Sequence, residues 1–207
     1  MTEAGASRNA QQREAAHAPL LVVLTGPSGV GKDAVLDELA RRGHRFYRVI
    51  TATTRTPRDN ERDGVDYFFL SDAAFDELIE TGGLLEWAQI YGHRSGVPKK
   101  QVLDRLEEGI DVYVRADVQG ADSIKRLMPH AVRIFIAPSS IEELEERIRA
   151  RAADDEDHIA RRLAAARGEM ARQHEFEHII INHPGRLPET VDKLEQILTA
   201  ERAARIG

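Results

Sequence analysis

The fold of this chain is decided by the stretch Gly26-Pro27-Ser28-Gly29-Val30-Gly31-Lys32-Asp33, which follows the apolar run Leu20–Thr25. The stretch matches the phosphate-loop pattern G-x-x-x-x-G-K-[ST] except at its last position, where Asp33 replaces a hydroxyl residue. In such a loop, glycines allow successive backbone N–H groups to surround phosphate oxygens, and the following helix adds partial positive charge. Because Leu20–Thr25 is continuously apolar, it indicates a strand buried on both faces. The sequence therefore predicts a strand, a phosphate-binding loop and a helix, with Lys32 directed at the outer phosphates of a nucleotide.

Length and composition restrict the class of protein. A chain of 207 residues with 42% hydrophobic and 31% charged residues fits one compact domain with a buried core. The net charge of −6 argues against a dedicated nucleic-acid binder, and the absence of cysteine excludes disulfides and thiol chemistry. No apolar run reaches the length of a membrane span. We expect a cytoplasmic protein without nucleic-acid or membrane partners, either a monomer or a homodimer.

Predicted strands and helices alternate along the chain, which indicates a three-layer α/β fold with a mainly parallel sheet. Residues 1–18 are polar and aperiodic and predict a disordered tail before a single domain at 19–207. Within that domain we expect a core at 19–50, 99–140 and 176–207. Residues 51–98 interrupt the alternation of strands and helices, which predicts an inserted lobe. Residues 141–175 form a highly charged helical pair, closer to a mobile cover than to a core element.

Three local features refine this outline. The segment Phe46–Ala52 is predicted as one strand, and nothing in the pattern predicts an element between Tyr91 and Pro98. Ser140 and Glu143 form a capping box at the start of the charged helices.

A second motif, Thr53-Thr54-Arg55-Thr56-Pro57-Arg58, lies at the start of the predicted lobe. Two arginines around a proline form a semi-rigid clamp that suits a phosphate dianion, since each guanidinium is able to bind it through two hydrogen bonds. Taken alone, a solvated charged loop is the commoner explanation of such a stretch.

The order of the motifs resembles the guanylate kinase family. After GPSGVGK come TTRTPR with Glu61 and Tyr67, then Leu85-Glu86-Trp87-Ala88, then Asp117-Val118-Gln119-Gly120-Ala121. The resemblance extends from about Leu20 to the final helix. It implies a P-loop kinase with a small acceptor-binding lobe (51–98) and a helical lid (141–175). The implied reaction is ATP-dependent phosphorylation of GMP, and of dGMP, to GDP, with Mg²⁺ as cofactor.

The resemblance also implies roles for individual residues. ATP would be bound by the loop and by a residue beside the adenine, namely Gly26, Pro27, Ser28, Gly29, Val30, Gly31, Lys32, Asp33 and Asn182. GMP would be bound by Thr51, Arg55, Arg58, Glu61, Tyr67, Glu86 and Asp117. Catalysis would be assisted by Lys32 and by three lid arginines that reach over the transferred phosphoryl group, Arg147, Arg151 and Arg162. Glu86 and Asp117 would accept hydrogen bonds from guanine N1–H and the 2-amino group.

Simpler explanations exist for several of these residues. A surface charge explains Glu86 and a strand-end cap explains Asp117 about as well when each is taken alone. Arginines of a charged helix more often pair with glutamates, and Asn182 is nearly as well explained as a turn residue.

Four positions depart from the family pattern: Asp33 replaces Ser/Thr, Arg115 replaces an acid, Ser95 replaces a tyrosine, and Val97 replaces a Ser/Thr that would contact guanine. A carboxylate about 4 Å from a phosphate charge costs roughly 4 kcal/mol at an effective dielectric of ~20, so Asp33 must be neutralised. Either Asp33 is a ligand of Mg²⁺, or it pairs with Arg115. We predict the pairing with Arg115, because both positions fall at the same edge of the sheet.

Two other functions remain open at this level. A loop ending in GKD also occurs in ribose 1,5-bisphosphate phosphokinases, so the acceptor is either GMP or another phosphorylated compound such as that sugar or a different nucleotide. Guanylate-kinase-like modules also serve as catalytically silent binding domains. The intact glycine loop and Lys32 argue against that reading, because a silent module has no need of an ATP site.

Overall fold

The computed structural model describes residues 18–59, 61–90, 92–151 and 156–206. Its strands are β1 (Leu21–Thr25), β2 (Tyr47–Arg48), β3 (Thr51–Thr53), β4 (Tyr67–Phe69), β5 (Leu84–Ile90), β6 (His93–Pro98), β7 (Val112–Arg115), β8 (Val132–Pro138) and β9 (His178–Asn182). Its helices are α1 (Lys32–Arg41), α2 (Asp72–Glu80), α3 (Lys99–Glu107), α4 (Val118–Leu127), α5 (Ile141–Arg151), α6 (Glu156–Ala171) and α7 (Leu187–Ile206). Residues 1–17 of the predicted tail lie outside this part of the chain.

The main sheet has the strand order β2-β7-β1-β8-β9, and all four pairings are parallel. Residues of β1 alternate between two buried clusters, with Val22 and Leu24 in one and Leu21 and Val23 in the other. Helices therefore cover both faces, which confirms the predicted three-layer α/β fold. Because the strands are parallel, their carboxyl ends meet at one edge, and the phosphate loop leaves β1 at that edge.

A second sheet has the order β4-β3-β6-β5 and is built from strands between Thr51 and Pro98. It corrects the prediction of one strand over Phe46–Ala52, because β2 joins the main sheet and β3 joins the second. The chain changes sheets at Ile50, whose backbone N–H and C=O are both bonded by the Gln101 side chain, at 3.1 and 2.9 Å. Strand β6 was not predicted, since its residues are mostly polar. It forms because β3 and β5 pair with it on either side.

The charged helices α5 and α6 are more than a cover. Five of their apolar side chains are buried in the same cluster as the inner strands, which corrects the expectation that the pair contributes little to the core: Leu144, Ile148, Ile159, Leu163 and Ala166. The helical spacing places these residues on one face while the charges occupy the other. The backbone N–H of Glu143 donates to Ser140 Oγ at 3.1 Å, as the capping box predicts. The Glu143 carboxylate instead accepts from the Ser139 N–H at 3.1 Å.

None of the helices in the described part of the chain is long and apolar enough to cross a membrane.

Candidate active site

The phosphate loop connects β1 to α1 in a conformation that needs its glycines. Gly26, Gly29 and Gly31 have φ values of +139°, +87° and +103°, a region that other residues rarely adopt. A Cβ on Gly26 would lie 2.1 Å from the carbonyl oxygen of Ile136 in β8. The predicted loop is therefore formed by its local sequence and by close approach to the neighbouring strand.

Lys32 lies at the first position of α1 and folds back over the loop. Its Nζ donates to the carbonyl oxygens of Gly26 and of Pro27, the latter at 3.2 Å. Burial lowers the pKa of Lys32, and the nearby carboxylates of Glu169 and Asp33 oppose that effect. The ammonium group is thus held at the loop by two backbone oxygens, which a phosphate is able to replace.

Asp33 is paired as predicted. Its Oδ1 accepts a hydrogen bond from Arg115 at 2.5 Å and another from Arg48. Burial would raise the pKa of Asp33, but the two guanidinium groups and Lys32 outweigh it, so the pKa is lowered and the carboxylate stays ionised. No residue in the described segments donates a hydrogen bond to Oδ2. The pairing with Arg115 is confirmed, and Arg48 is a partner that the sequence did not reveal.

Two side chains support the loop from behind. Asn182, buried at the end of β9, donates to the Val30 carbonyl at 2.7 Å and accepts from Thr190 Oγ1 at 2.9 Å. Arg147 donates to the Val30 carbonyl at 3.1 Å and to the Asn182 carbonyl at 3.2 Å. Both residues therefore fix the backbone of the loop. The expected roles of Asn182 beside adenine and of Arg147 over the transferred group stay predictions.

The other two predicted lid arginines are Arg162 and Arg151. Arg162 of α6 donates to Ser28 Oγ at 3.0 Å and so reaches the loop from the lid. The side chain of Arg151, the third predicted lid arginine, lies outside the described part of the structure.

The predicted arginine clamp is organised by Glu61. Its carboxylate accepts two hydrogen bonds from the Arg55 guanidinium, at 2.8 and 2.9 Å, and one from the Arg58 backbone N–H at 2.9 Å. Hydrogen bonding to Arg55 holds the pKa of Glu61 below its usual value. The Arg55 guanidinium also lies over the ring of Tyr67, 5.2 Å from its centroid. The structure thus brings these residues together, with the Arg58 side chain exposed beside them.

The two predicted guanine-binding carboxylates meet at Gly120. Asp117 is the N-cap of α4, and its Oδ1 accepts from the Gly120 N–H at 2.7 Å. A Cβ on Gly120 would lie 2.9 Å from Glu86 Oε2, so Glu86 of β5 packs directly on this turn. Burial, with the negative charge of Asp117 as a smaller cause, raises the pKa of Glu86 to about 7. The simpler explanation of Asp117 as a cap is therefore correct, and its role toward guanine stays a prediction.

Comparison with known proteins assigns this chain to a family. The Guanylate kinase family model matches residues 19–201. The chain belongs to the guanylate kinase family.

Individual relatives agree with that assignment. A guanylate kinase of Gloeobacter violaceus is 47% identical over 181 residues, covering 87% of each chain. One of Synechococcus sp. (strain JA-3-3Ab) is 43% identical over 192 residues, covering 91% of this chain and 88% of that protein. The crystal structure of guanylate kinase from Anaplasma phagocytophilum superposes with a TM-score of 0.73 at 29% identity, over 90% of this chain and 87% of that one. As a member of this family, the chain is a nucleoside monophosphate kinase, which is a phosphotransferase. Membership of the family does not favour the alternative of a sugar-phosphate acceptor.

The other positions that depart from the guanylate kinase pattern lie in the acceptor lobe. Ser95 donates to Thr53 Oγ1 at 3.2 Å, within the second sheet. The side chain of Val97 is fully buried in the apolar core, and its backbone pairs with Glu86 in the second sheet. Thr51, predicted to face guanine, begins β3 opposite Tyr67 and is half-buried.

Sequence reasoning missed three residues of this guanylate kinase site. Arg48 was hidden because β2 has only two residues, although its position at a strand end was a usable signal. Gly120 was quoted within a motif, but its close contact with Glu86 depends on how β5 and α4 pack. Glu169 lies seven residues after Arg162 in α6, hence on the same helix face. Its carboxyl pKa is raised by burial and by the charge of Asp117, against the effect of Lys32, so this group lies near both of those side chains.

Proposed function

We propose that this chain transfers the terminal phosphoryl group of ATP to the phosphate of GMP, forming GDP, and accepts dGMP as well. The observation that carries the proposal is the pair of carboxylates, Glu86 and Asp117, that converge at Gly120. Guanine offers two donors on one edge, N1–H and the 2-amino group, and adenine offers neither. Leaving a charged group unpaired costs roughly 1–3 kcal/mol or more, so the pair discriminates between the bases. Such an enzyme serves purine nucleotide metabolism.

In the proposed reaction the donor is held by the phosphate loop. Its backbone N–H groups surround the triphosphate, and Lys32 exchanges the carbonyls of Gly26 and Pro27 for outer phosphate oxygens. A phosphate oxygen of GMP then attacks the terminal phosphorus of ATP in line. The new P–O bond forms as the bond to the bridging oxygen breaks, and ADP leaves without a covalent enzyme intermediate. Catalysis rests on positioning and on neutralisation of charge.

The residues present also fit Mg²⁺ carried by a triphosphate. Among the described residues no cluster of three acidic or histidine ligands exists, but a metal held mainly by phosphates and water needs only one or two protein oxygens. Asp33 supplies one, because its Oδ1 binds the arginines and its Oδ2 receives no hydrogen bond from a described residue. We infer that Asp33 would hold the ion in place of the hydroxyl residue of the phosphate-loop pattern. The ion, when bound, contributes neutralisation of phosphate charge.

The acceptor phosphate is oriented by the clamp. Arg55, held by Glu61, and the exposed Arg58 face the phosphate together with the Tyr67 hydroxyl. The lid arginines Arg147, Arg151 and Arg162 complete the site when the lid closes, which excludes water and limits hydrolysis of ATP. From composition we further infer a cytoplasmic location, and we expect a monomer or a homodimer.

A panel of acceptors tests this function. ADP formation is measured in a coupled assay with GMP, dGMP, AMP, UMP and ribose 1,5-bisphosphate, each at several Mg²⁺ concentrations. We expect turnover with GMP and dGMP, little with the others, and a requirement for Mg²⁺. No GMP-dependent ADP formation would eliminate the proposal. In that case, calorimetry with ATP separates a kinase with another acceptor, which binds ATP, from a silent binding module, which does not.

A further inference from the structure

Arg115 lies between the donor and acceptor sites and contacts both. It ends β7, directly beside Leu24 of β1 in the sheet register. Its guanidinium donates to Asp33 of the phosphate loop at 2.5 Å and lies 5.7 Å from the ring centroid of Tyr67 in the acceptor lobe. Tyr67 is thus approached by two guanidinium groups, those of Arg115 and Arg55.

The Nε–H of Arg115 is a buried donor without an acceptor. The side chain is only 17% exposed, and its Nε finds no hydrogen-bond partner in the described parts of the chain. Buried donors are paired in almost all native structures, so an unpaired one at a substrate site indicates a ligand atom that completes it. The ligand must be a hydrogen-bond acceptor, and a guanidinium forms its strongest hydrogen bonds with anions such as carboxylate and phosphate.

The surrounding charges favour a phosphate oxygen as that acceptor. Asp33 is shared by Arg48 and Arg115, and Arg48 also pairs with Asp37, so these four side chains together carry no net charge. Lys32 adds one positive charge, and Arg115 lies close enough to lower the Lys32 pKa. Arg115 and Lys32 lie where the phosphate loop meets Tyr67, a position that matches the terminal phosphate of the donor and the phosphate of the acceptor.

We propose that Arg115 binds a phosphate oxygen through Nε at the meeting point of the two substrates, while its terminal nitrogen holds Asp33. The position is occupied by an acid in the family pattern, so this contact is specific to chains with the Asp33 and Arg115 exchange. The inference relies on the proposed function only for the names of the two ligands. Its chemistry requires a phosphate from the monophosphate, the triphosphate or both.

Binding of each substrate to variants of Arg115 tests the proposal. Dissociation constants of GMP alone and of ATP with Mg²⁺ are measured by calorimetry for the wild type, Arg115→Gln and Arg115→Lys, with folding checked by thermal unfolding. Arg48→Gln is the matched control, because it removes a charge from the same Asp33 oxygen without touching Tyr67. Arg41→Gln removes an exposed positive charge at the far end of α1. It therefore measures the effect of the change in net charge alone on ligand binding.

We expect Arg115→Gln to weaken at least one ligand by about tenfold more than Arg48→Gln does. Weaker GMP binding identifies the acceptor phosphate, and weaker ATP binding identifies the donor phosphate. Arg115→Lys keeps the charge but lacks Nε and the planar face, so it should not restore affinity. The proposal is wrong if both ligands bind Arg115→Gln as tightly as Arg48→Gln, or if Arg115→Lys binds them as the wild type does. Turnover of GMP by the wild type, measured with the acceptor panel, does not depend on these binding results. Failure of the proposed function and failure of the Arg115 proposal are therefore distinguishable.

Discussion

In the donor half of the site, residues 26–33 with Arg48 and Arg115, each charged side chain already has at least one partner within the chain, although Arg115 Nε has none among the described residues. Lys32 is bound by two carbonyl oxygens and Asp33 by two guanidinium groups. The acceptor half contains Arg55, Glu61, Tyr67, Glu86 and Asp117. There no described residue donates a hydrogen bond to the buried carboxyl of Glu86, whose pKa is raised to about 7.

The contrast indicates a division of labour. A donor half that is held in place before the nucleotide binds contributes to rate, because positioned charges need no rearrangement during the reaction. An acceptor half with an unsatisfied carboxylate contributes to specificity, because only a base with matching donors relieves its cost. We make five predictions about these two halves, beginning with the largest expected effect.

Lys32→Met removes the ammonium group that is proposed to bind the outer phosphates. We expect kcat to fall by about 10²- to 10³-fold, since a preorganised charge opposite the transferred group is lost. GMP binding measured by calorimetry should change little, because Lys32 belongs to the donor half. Lys100→Met, which removes an exposed lysine paired with Asp104, is the control. Retention of more than a tenth of wild-type kcat would contradict the assignment of rate to the donor half.

Glu86→Gln replaces a carboxylate that guanine is proposed to need. The value of kcat/KM for GMP should fall by about 10- to 150-fold, the worth of a hydrogen bond to a charged group. Turnover of AMP should change far less, so discrimination between the bases narrows. Glu80→Gln at the exposed end of α2 is the matched control. Equal losses for GMP and AMP would show that Glu86 contributes to folding or rate rather than to base recognition.

The pH dependence of GMP binding should follow Glu86. Its pKa of about 7 means that the ionised form grows from a minor to a major fraction between about pH 6 and pH 8. Affinity for GMP should therefore rise by up to about tenfold over that range. The phosphate of GMP titrates near pH 6 itself, so the comparison is with Glu86→Gln, which should keep only the phosphate contribution. Identical profiles for both proteins would exclude Glu86 as the titrating group.

The same pKa predicts a stability effect with a definite sign. The native state holds a proton on Glu86 up to about pH 7, whereas the unfolded chain releases it near the usual value of 4.5. The free energy of unfolding contributed by this group therefore decreases as the pH rises from about 4.5 to about 7 and is constant above that. The Glu86→Gln variant should not show this decrease in stability when its thermal unfolding is measured over the same pH range.

Arg48→Gln should have the smallest effect. Its ion pair with Asp33 is partly exposed, and such pairs contribute less than about 1 kcal/mol. ATP should bind about two- to fivefold more weakly, with less difference at high salt, and GMP binding should be unchanged. Calorimetry at two ionic strengths measures both. A change in GMP affinity as large as that in ATP affinity would contradict the separation of the two halves.

Local sequence determined a large part of this protein. The glycine positions and the apolar run predicted β1, the loop and α1, because hydrophobic period and backbone freedom act within a few residues. The spacing of Arg55 and Arg58 around a proline likewise predicts the clamp, whose binding of phosphate stays a prediction. The pairing of Asp33 with Arg115 was predictable because two departures from one pattern compensate each other in charge.

Tertiary structure decided the rest. Arg48 joined the site only because β2 lies beside β7 in the sheet, which places the ends of two distant strands near Asp33. Strand β6 has little strand propensity of its own and exists because two neighbours supply its hydrogen bonds. The raised pKa of Glu86 results from burial against Gly120 and the charge of Asp117. Residues close in sequence encode elements through local periodicity, whereas strand order and packing depend on contacts between residues far apart, and these create the electrostatic environment of the site.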